Sequence, residues 1–172
     1  MNLVLIGYRA TGKSSVGALL SKRLCWPLLD TDDLIQKEAG QTIPDIVAAK
    51  GWAHFRSLEK TVVARVSALD RQVIATGGGV VLDPENVALL RATGYLVWLQ
   101  ADAETIKNRL AIDEFRPPLT GADAVSEVSE VLQERLPAYH RAAHINVDTA
   151  HLSPAQIADS ILKQLPKPGH GT

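Results

Sequence analysis

A chain of 172 residues, 46% hydrophobic and 22% charged, is long enough for one core that hides roughly 70% of its unfolded surface, so a single domain is expected. A formal charge of -1 supplies no long-range field for nucleic acid or an anionic membrane, and charge recognition has to be local. The single cysteine, Cys25, excludes an internal disulfide and fits a reducing compartment, where it is expected as a small buried hydrophobe.

The first apolar run, Leu3 to Ile6, is too short for a signal peptide, and no run approaches a membrane span, so a soluble cytoplasmic protein is expected. The run leads directly into Gly7, Tyr8, Arg9, Ala10, Thr11, Gly12, Lys13 and Ser14, the P-loop pattern, followed by a helical segment with Val16, Leu19 and Leu20. In such a loop the backbone N–H groups of Ala10, Thr11, Gly12, Lys13, Ser14 and Ser15 converge on phosphate, helped by the positive end of the following helix. Lys13 would neutralise the β and γ phosphates, and Ser14 would offer a hydroxyl to magnesium. The chain has no Asn/Thr-Lys-x-Asp guanine signature, so ATP is the expected nucleotide.

A second short apolar run, Leu28 to Asp30, ends in the acidic stretch Asp30, Thr31, Asp32, Asp33. If strand alternation persists, Asp30 and Asp32 share a face beyond the sheet edge, one for magnesium and one for an acceptor hydroxyl, while Asp33 reads as a helix cap and solvated charge. Asp148, closing the run Ile145 to Val147, is the other candidate for the metal, and the surroundings favour Asp30. Thr42 is expected to cap a helix through Lys50, with a longer helix from Gly51 to Leu69, so two helices separate the second and third strands and wall the acceptor site.

Further strands are expected at Val73 to Ala75, Tyr95 to Leu99 and Ile145 to Val147, and each strand leads into a helix-like segment. Helices begin at Asp83-Pro84-Glu85 and at the capping box Ser153 to Gln156. This βαβ pattern, with nearly continuous apolar strands, predicts an α/β fold: three layers around a five-stranded parallel sheet. The non-periodic stretch Asp113 to Gly121 is predicted to be an exposed loop within a lid at about 112–122. The single domain is expected over 1–165, with a substrate-binding insertion at about 32–60 and a flexible tail at 166–172.

These motifs, in this order, resemble the shikimate kinase family over nearly the whole chain. They are the P-loop, Asp30-Thr31-Asp32, Phe55-Arg56 with Glu59, Gly77-Gly78-Gly79, Arg116-Pro117-Pro118-Leu119, and Arg135 four residues before Tyr139. The resemblance implies a P-loop fold and phosphorylation of the shikimate 3-hydroxyl by ATP with magnesium, in aromatic amino acid biosynthesis. It implies that Asp30 positions the metal, that Asp32 binds ring hydroxyls and acts as base, and that Arg56 and Arg135 clamp the carboxylate. Gly78 and Gly79 would add backbone contacts, Arg116 would act as a finger on the transferring phosphoryl group, and Arg109 and Pro154 would border adenine. Paired guanidinium forks suit a carboxylate in a way lysine cannot, although either arginine alone reads as an ordinary surface residue.

Two positions depart from the usual pattern: Trp52 stands where many relatives carry glutamate, and Leu152 where some carry arginine. Trp52 is a candidate wall of the acceptor pocket, while Trp26 and Trp98 read as packing. His140 and His144 have the spacing of a helical metal pair, but no third ligand accompanies them and they read as surface residues. A gluconate kinase of the same fold and a noncatalytic nucleotide-binding module remain as rivals, and a monomer is expected.

Overall fold

The computed structural model describes residues 1–112 and 126–166. Arg116, all but the first residue of the expected lid, and the tail after Pro166 lie outside the described residues. Strands β1 (Asn2–Ile6), β2 (Leu28–Asp30), β3 (Val73–Ala75), β4 (Gly94–Gln100) and β5 (Ile145–Asp148) form one parallel sheet in the order β2-β3-β1-β4-β5. The helices are α1 (Lys13–Leu24), α2 (Thr31–Ala39), α3 (Ile43–Ser67), α4 (Pro84–Thr93), α5 (Ala103–Ile112), α6 (Val128–Ala142) and α7 (Pro154–Gln164).

Apolar residues run continuously through the central strands because both faces are covered. Val4, Ile6, Ile74, Leu96 and Trp98 point into a core shared with α3, α4, α5 and α6. Their alternates Leu3, Leu5, Val73, Val97 and Leu99 point into a second core against α1 and α7. Strand alternation therefore assigns residues to two cores while leaving the middle of each central strand apolar.

The expected caps form at Thr42, Asp83 and Ser153, where side-chain oxygens accept from Asp45, Glu85 and Gln156 N–H groups, the last in a full capping box. One expected element changes. The segment after β2 does not continue as strand: Asp30 Oδ1 accepts from the Asp32 and Asp33 N–H groups at 2.9 and 3.2 Å, so Asp30 caps the additional helix α2. Asp32 and Asp33 then occupy its first turn, where the helix dipole favours acids. The two helices expected between Thr42 and Leu69 are present as the two arms of α3, which break at Gly51, where the expected boundary lies and where a φ of 82° with a ψ of 169° is non-helical, open to glycine and strained for most other residues.

Cys25 is exposed, not buried. It ends α1 with a left-handed φ of 54°, which turns its side chain out of the packed helix face. Among the described residues no helix is long and apolar enough to cross a membrane.

Candidate active site

A cleft of about 670 Å³ opens at the carboxyl ends of the strands, where ligands of open α/β sheets bind. Its walls come from the P-loop after β1, the start of α2, both arms of α3, the glycine run after β3, Arg109 of α5 and Arg135 of α6.

One half is built largely of backbone. The start of α1 carries no side-chain cap, so its first N–H groups face the cleft as an anion site. Buried Thr11 braces the loop from behind, its hydroxyl donating to the Tyr8 carbonyl at 2.7 Å. The Lys13 ammonium donates to the Gly7 and Tyr8 carbonyls at 2.6 and 2.8 Å, which ties the charge across the loop. Ser14 Oγ donates to Asp30 Oδ2 at 3.4 Å, bringing together two oxygen donors of the kind a hard divalent cation takes beside phosphate and water. Asp148 ends the opposite edge strand, accepts from Ala150 N–H at 2.9 Å and is absent from the cleft wall.

Arg109 is held by its edge. It donates to the Ala10 carbonyl at 3.0 Å and to Thr149 Oγ1 and O at 3.2 and 3.0 Å, joining α5 to the P-loop and to the segment after β5. Ala10 sits at a left-handed φ of 62°, uncommon for a residue with a side chain, and this bond restrains it.

The other half is built of side chains. Arg56 donates to Glu59 Oε1 at 2.8 Å, and its guanidinium lies 5.5 Å from the Trp52 ring and 5.3 Å from the Phe55 ring. An ion pair and two aromatic faces thus fix one fork in the cleft. Arg135, only 7% exposed, enters from α6 over the ring of Tyr8 at 5.8 Å. A Cβ on Gly79 would come within 2.7 Å of Arg56 Cζ, so any larger residue there would push the guanidinium from its place.

Asp32 Oδ1 and Glu59 Oε2 are buried without a hydrogen-bond partner among the described residues, and both lie against Gly77. Burial, then Asp30 and Glu59, raise the Asp32 carboxyl to about 6, against the pull of Lys13 and Arg56. Burial also raises Glu59, opposed mainly by Arg56. A carboxylate that titrates near neutrality and lacks a donor is suited to accept a hydroxyl hydrogen bond or proton.

Of the residues singled out in the sequence, Ala10, Gly12, Lys13, Ser14, Ser15, Asp30, Asp32, Arg56, Gly78, Gly79, Arg109 and Arg135 all line this one cleft, as does Trp52. Thr11 supports it from within the loop, and Pro154 opens α7 as an exposed residue away from its wall. Arg9, Gln36 and Glu59 are wall residues with no role assigned from sequence; only Glu59 left a signal, its (i, i+3) spacing from Arg56. His140 and His144 are exposed; His140 packs against Trp98, and His144 Nδ1 accepts from Leu96 N–H at 2.9 Å.

Comparison with known proteins identifies close relatives. The family model described as shikimate kinase matches residues 9–166. A shikimate kinase of Symbiobacterium thermophilum is 43% identical over 171 residues, with 98% of each chain covered. One from Syntrophus aciditrophicus is 42% identical over 95% of this chain and 90% of its own. The solved structure of shikimate kinase from Acinetobacter baumannii in complex with shikimate superposes with a TM-score of 0.89 at 31% identity, covering 94% of this chain and 90% of that one.

Proposed function

The chain belongs to the shikimate kinase family, and on that premise we propose that its cleft binds ATP and shikimate together and transfers the γ-phosphoryl group to the ring 3-hydroxyl. The products are shikimate 3-phosphate and ADP. The observation that carries this reading is the convergence of two arginines from separate helices, Arg56 and Arg135, on the cleft that also holds Lys13 and Asp32.

The shikimate carboxylate is taken by Arg56 and Arg135, whose two forks fix the rotation of the ring. A ring hydroxyl donates to the open Asp32 Oδ1, satisfying a buried acceptor. The P-loop N–H groups and Lys13 hold the phosphates, and Ser14 with Asp30 would hold magnesium. Magnesium, when bound, neutralises charge on the phosphate oxygens.

The 3-oxygen forms its bond to the γ phosphorus as the bond from that phosphorus to the β–γ bridging oxygen breaks. ADP leaves, and the hydroxyl proton passes to Asp32. Because the transition state is loose, positioning and charge neutralisation supply most of the acceleration. We assign Arg116 the finger role at the phosphoryl group, and Arg109 and Pro154 the adenine end of the nucleotide. The lid at about 112–122 would exclude water once both substrates are bound.

A coupled ADP-release assay with and without shikimate tests the reading. Release that depends on shikimate and is not evoked by gluconate is expected. Release at the same rate with and without shikimate would contradict it.

A further inference from the structure

Tyr139 is fully buried and absent from the cleft wall, yet its hydroxyl donates to the Gly78 carbonyl at 2.5 Å. Its ring stacks on Trp98 of β4 at 5.5 Å with an interplanar angle of 19°, so the hydroxyl is held from the core side. One turn earlier on the same face of α6 is Arg135, whose Nη1 lies 3.4 Å from the position a Gly78 Cβ would take. One helix face therefore supplies both a charged group to the cleft and a hydrogen bond to the glycine run beside it.

The C=O of Gly78 and the N–H of Gly79 belong to one planar trans peptide and point in opposite directions. With the carbonyl turned into the core toward Tyr139, the Gly79 N–H points to the other side, where Gly79 lines the cleft against Arg56. No backbone carbonyl among the described residues accepts from that N–H. Neither glycine carries a Cβ to resist rotation, so the peptide between them flips at little steric cost. Flipped, it would aim a carbonyl oxygen into a cleft that already holds the Asp32 and Glu59 carboxylates and must accept another.

We propose that Tyr139 is a positioning residue that holds the Gly78–Gly79 peptide with its N–H toward the cleft, as a third donor to the acceptor carboxylate beside Arg56 and Arg135. This rests on the acceptor reading above; the Tyr139 hydroxyl also shares a side-chain hydrogen bond with Arg135, so the Gly79 amide resonance separates the backbone route from an effect through Arg135.

Tyr139→Phe keeps the ring and removes the bond. The shikimate KM should rise roughly 5–10-fold, the value of one such hydrogen bond, with a smaller fall in kcat and the ATP KM held within about twofold. Ile161→Val, in the core on the far side of the sheet, is a control that should lower Tm by a comparable amount without moving the shikimate KM. In the wild-type protein, the Gly79 amide resonance should shift on titration with shikimate. The proposal is overturned by an unchanged shikimate KM in Tyr139→Phe, by ATP and shikimate KM values rising together, or by a Gly79 resonance that does not move. Wild-type protein with no shikimate-dependent ADP release would fail the underlying reading instead, whereas an active wild type with an indifferent Tyr139→Phe variant fails only this inference.

Discussion

The two halves of the cleft are made in different ways. The phosphate half is one continuous segment, Gly7 to Ser15, whose chemistry lies mostly in main-chain N–H groups and one helix end. The acceptor half gathers Asp32, Arg56, Gly79 and Arg135 from four separate parts of the chain, and its chemistry lies mostly in side chains. The first depends on local backbone conformation and the second on long-range packing, so substitutions should separate them: acceptor-side changes should spare nucleotide binding.

The largest separation is expected at Asp32. Asp32→Asn keeps the shape and the helix start but removes the proton acceptor, and should lower kcat by roughly 100 to 10,000-fold with ATP binding largely intact. Steady-state kinetics with direct nucleotide titration would check this, and a loss under tenfold would reject the assigned role.

Arg56→Lys comes next. The guanidinium is positioned by Glu59, Trp52 and Phe55, and an ammonium there offers one point charge in place of a fork. The shikimate KM should rise on the order of 10–100-fold, with a far smaller change for ATP. Equal changes in both KM values would mean that the halves are not separable.

The smallest effect concerns stability. The Asp32 carboxyl is raised to about 6 in the folded chain, against an unfolded value near the ordinary 3.8. Between those values the unfolded chain loses its proton first, so stability falls as pH rises through the window and the full cost is present above about 6. Removing the charge should therefore stabilise the protein at pH 7 by about 1–2 kcal/mol, discounted for the solvent the cleft admits and for a weaker helix dipole contact. Thermal unfolding without nucleotide or divalent cation should show Asp32→Asn a few degrees above wild type at pH 7 and level with it near pH 4. A Tm gain that persisted unchanged at pH 4 would contradict the electrostatic cause.

The same contrast explains what could be read from the sequence. All five strands were legible to within a residue or two at either end, because continuous apolar runs between turn residues leave few alternatives. The phosphate loop was legible because its parts are adjacent. Helix α2 was legible only through the cap reading at Asp33, because its cap and first turn are the same acidic residues that also read as a catalytic pair on an extended strand. Asp30 and Asp32 do meet in the cleft, but through a cap and a helical turn instead of strand alternation.

The hydrogen bonds of Arg109 span 99 and 40 residues of sequence, and no local pattern announces them. Tyr139 was visible only as a spacing from Arg135; its bond to Gly78 needs the folded glycine run. Cys25 misled because cysteine composition favours burial, whereas its place at a helix end decides its exposure.

The central claim is that donor and acceptor sites share one cleft, close enough for direct transfer. A molecule joining the shikimate 3-oxygen to ADP through a bridging phosphate tests it in a single binding titration. The expected result is a Kd roughly 10²–10⁴-fold below that of the tighter half, with displacement by either ATP or shikimate. Binding no tighter than ADP alone, unaffected by shikimate, would contradict it.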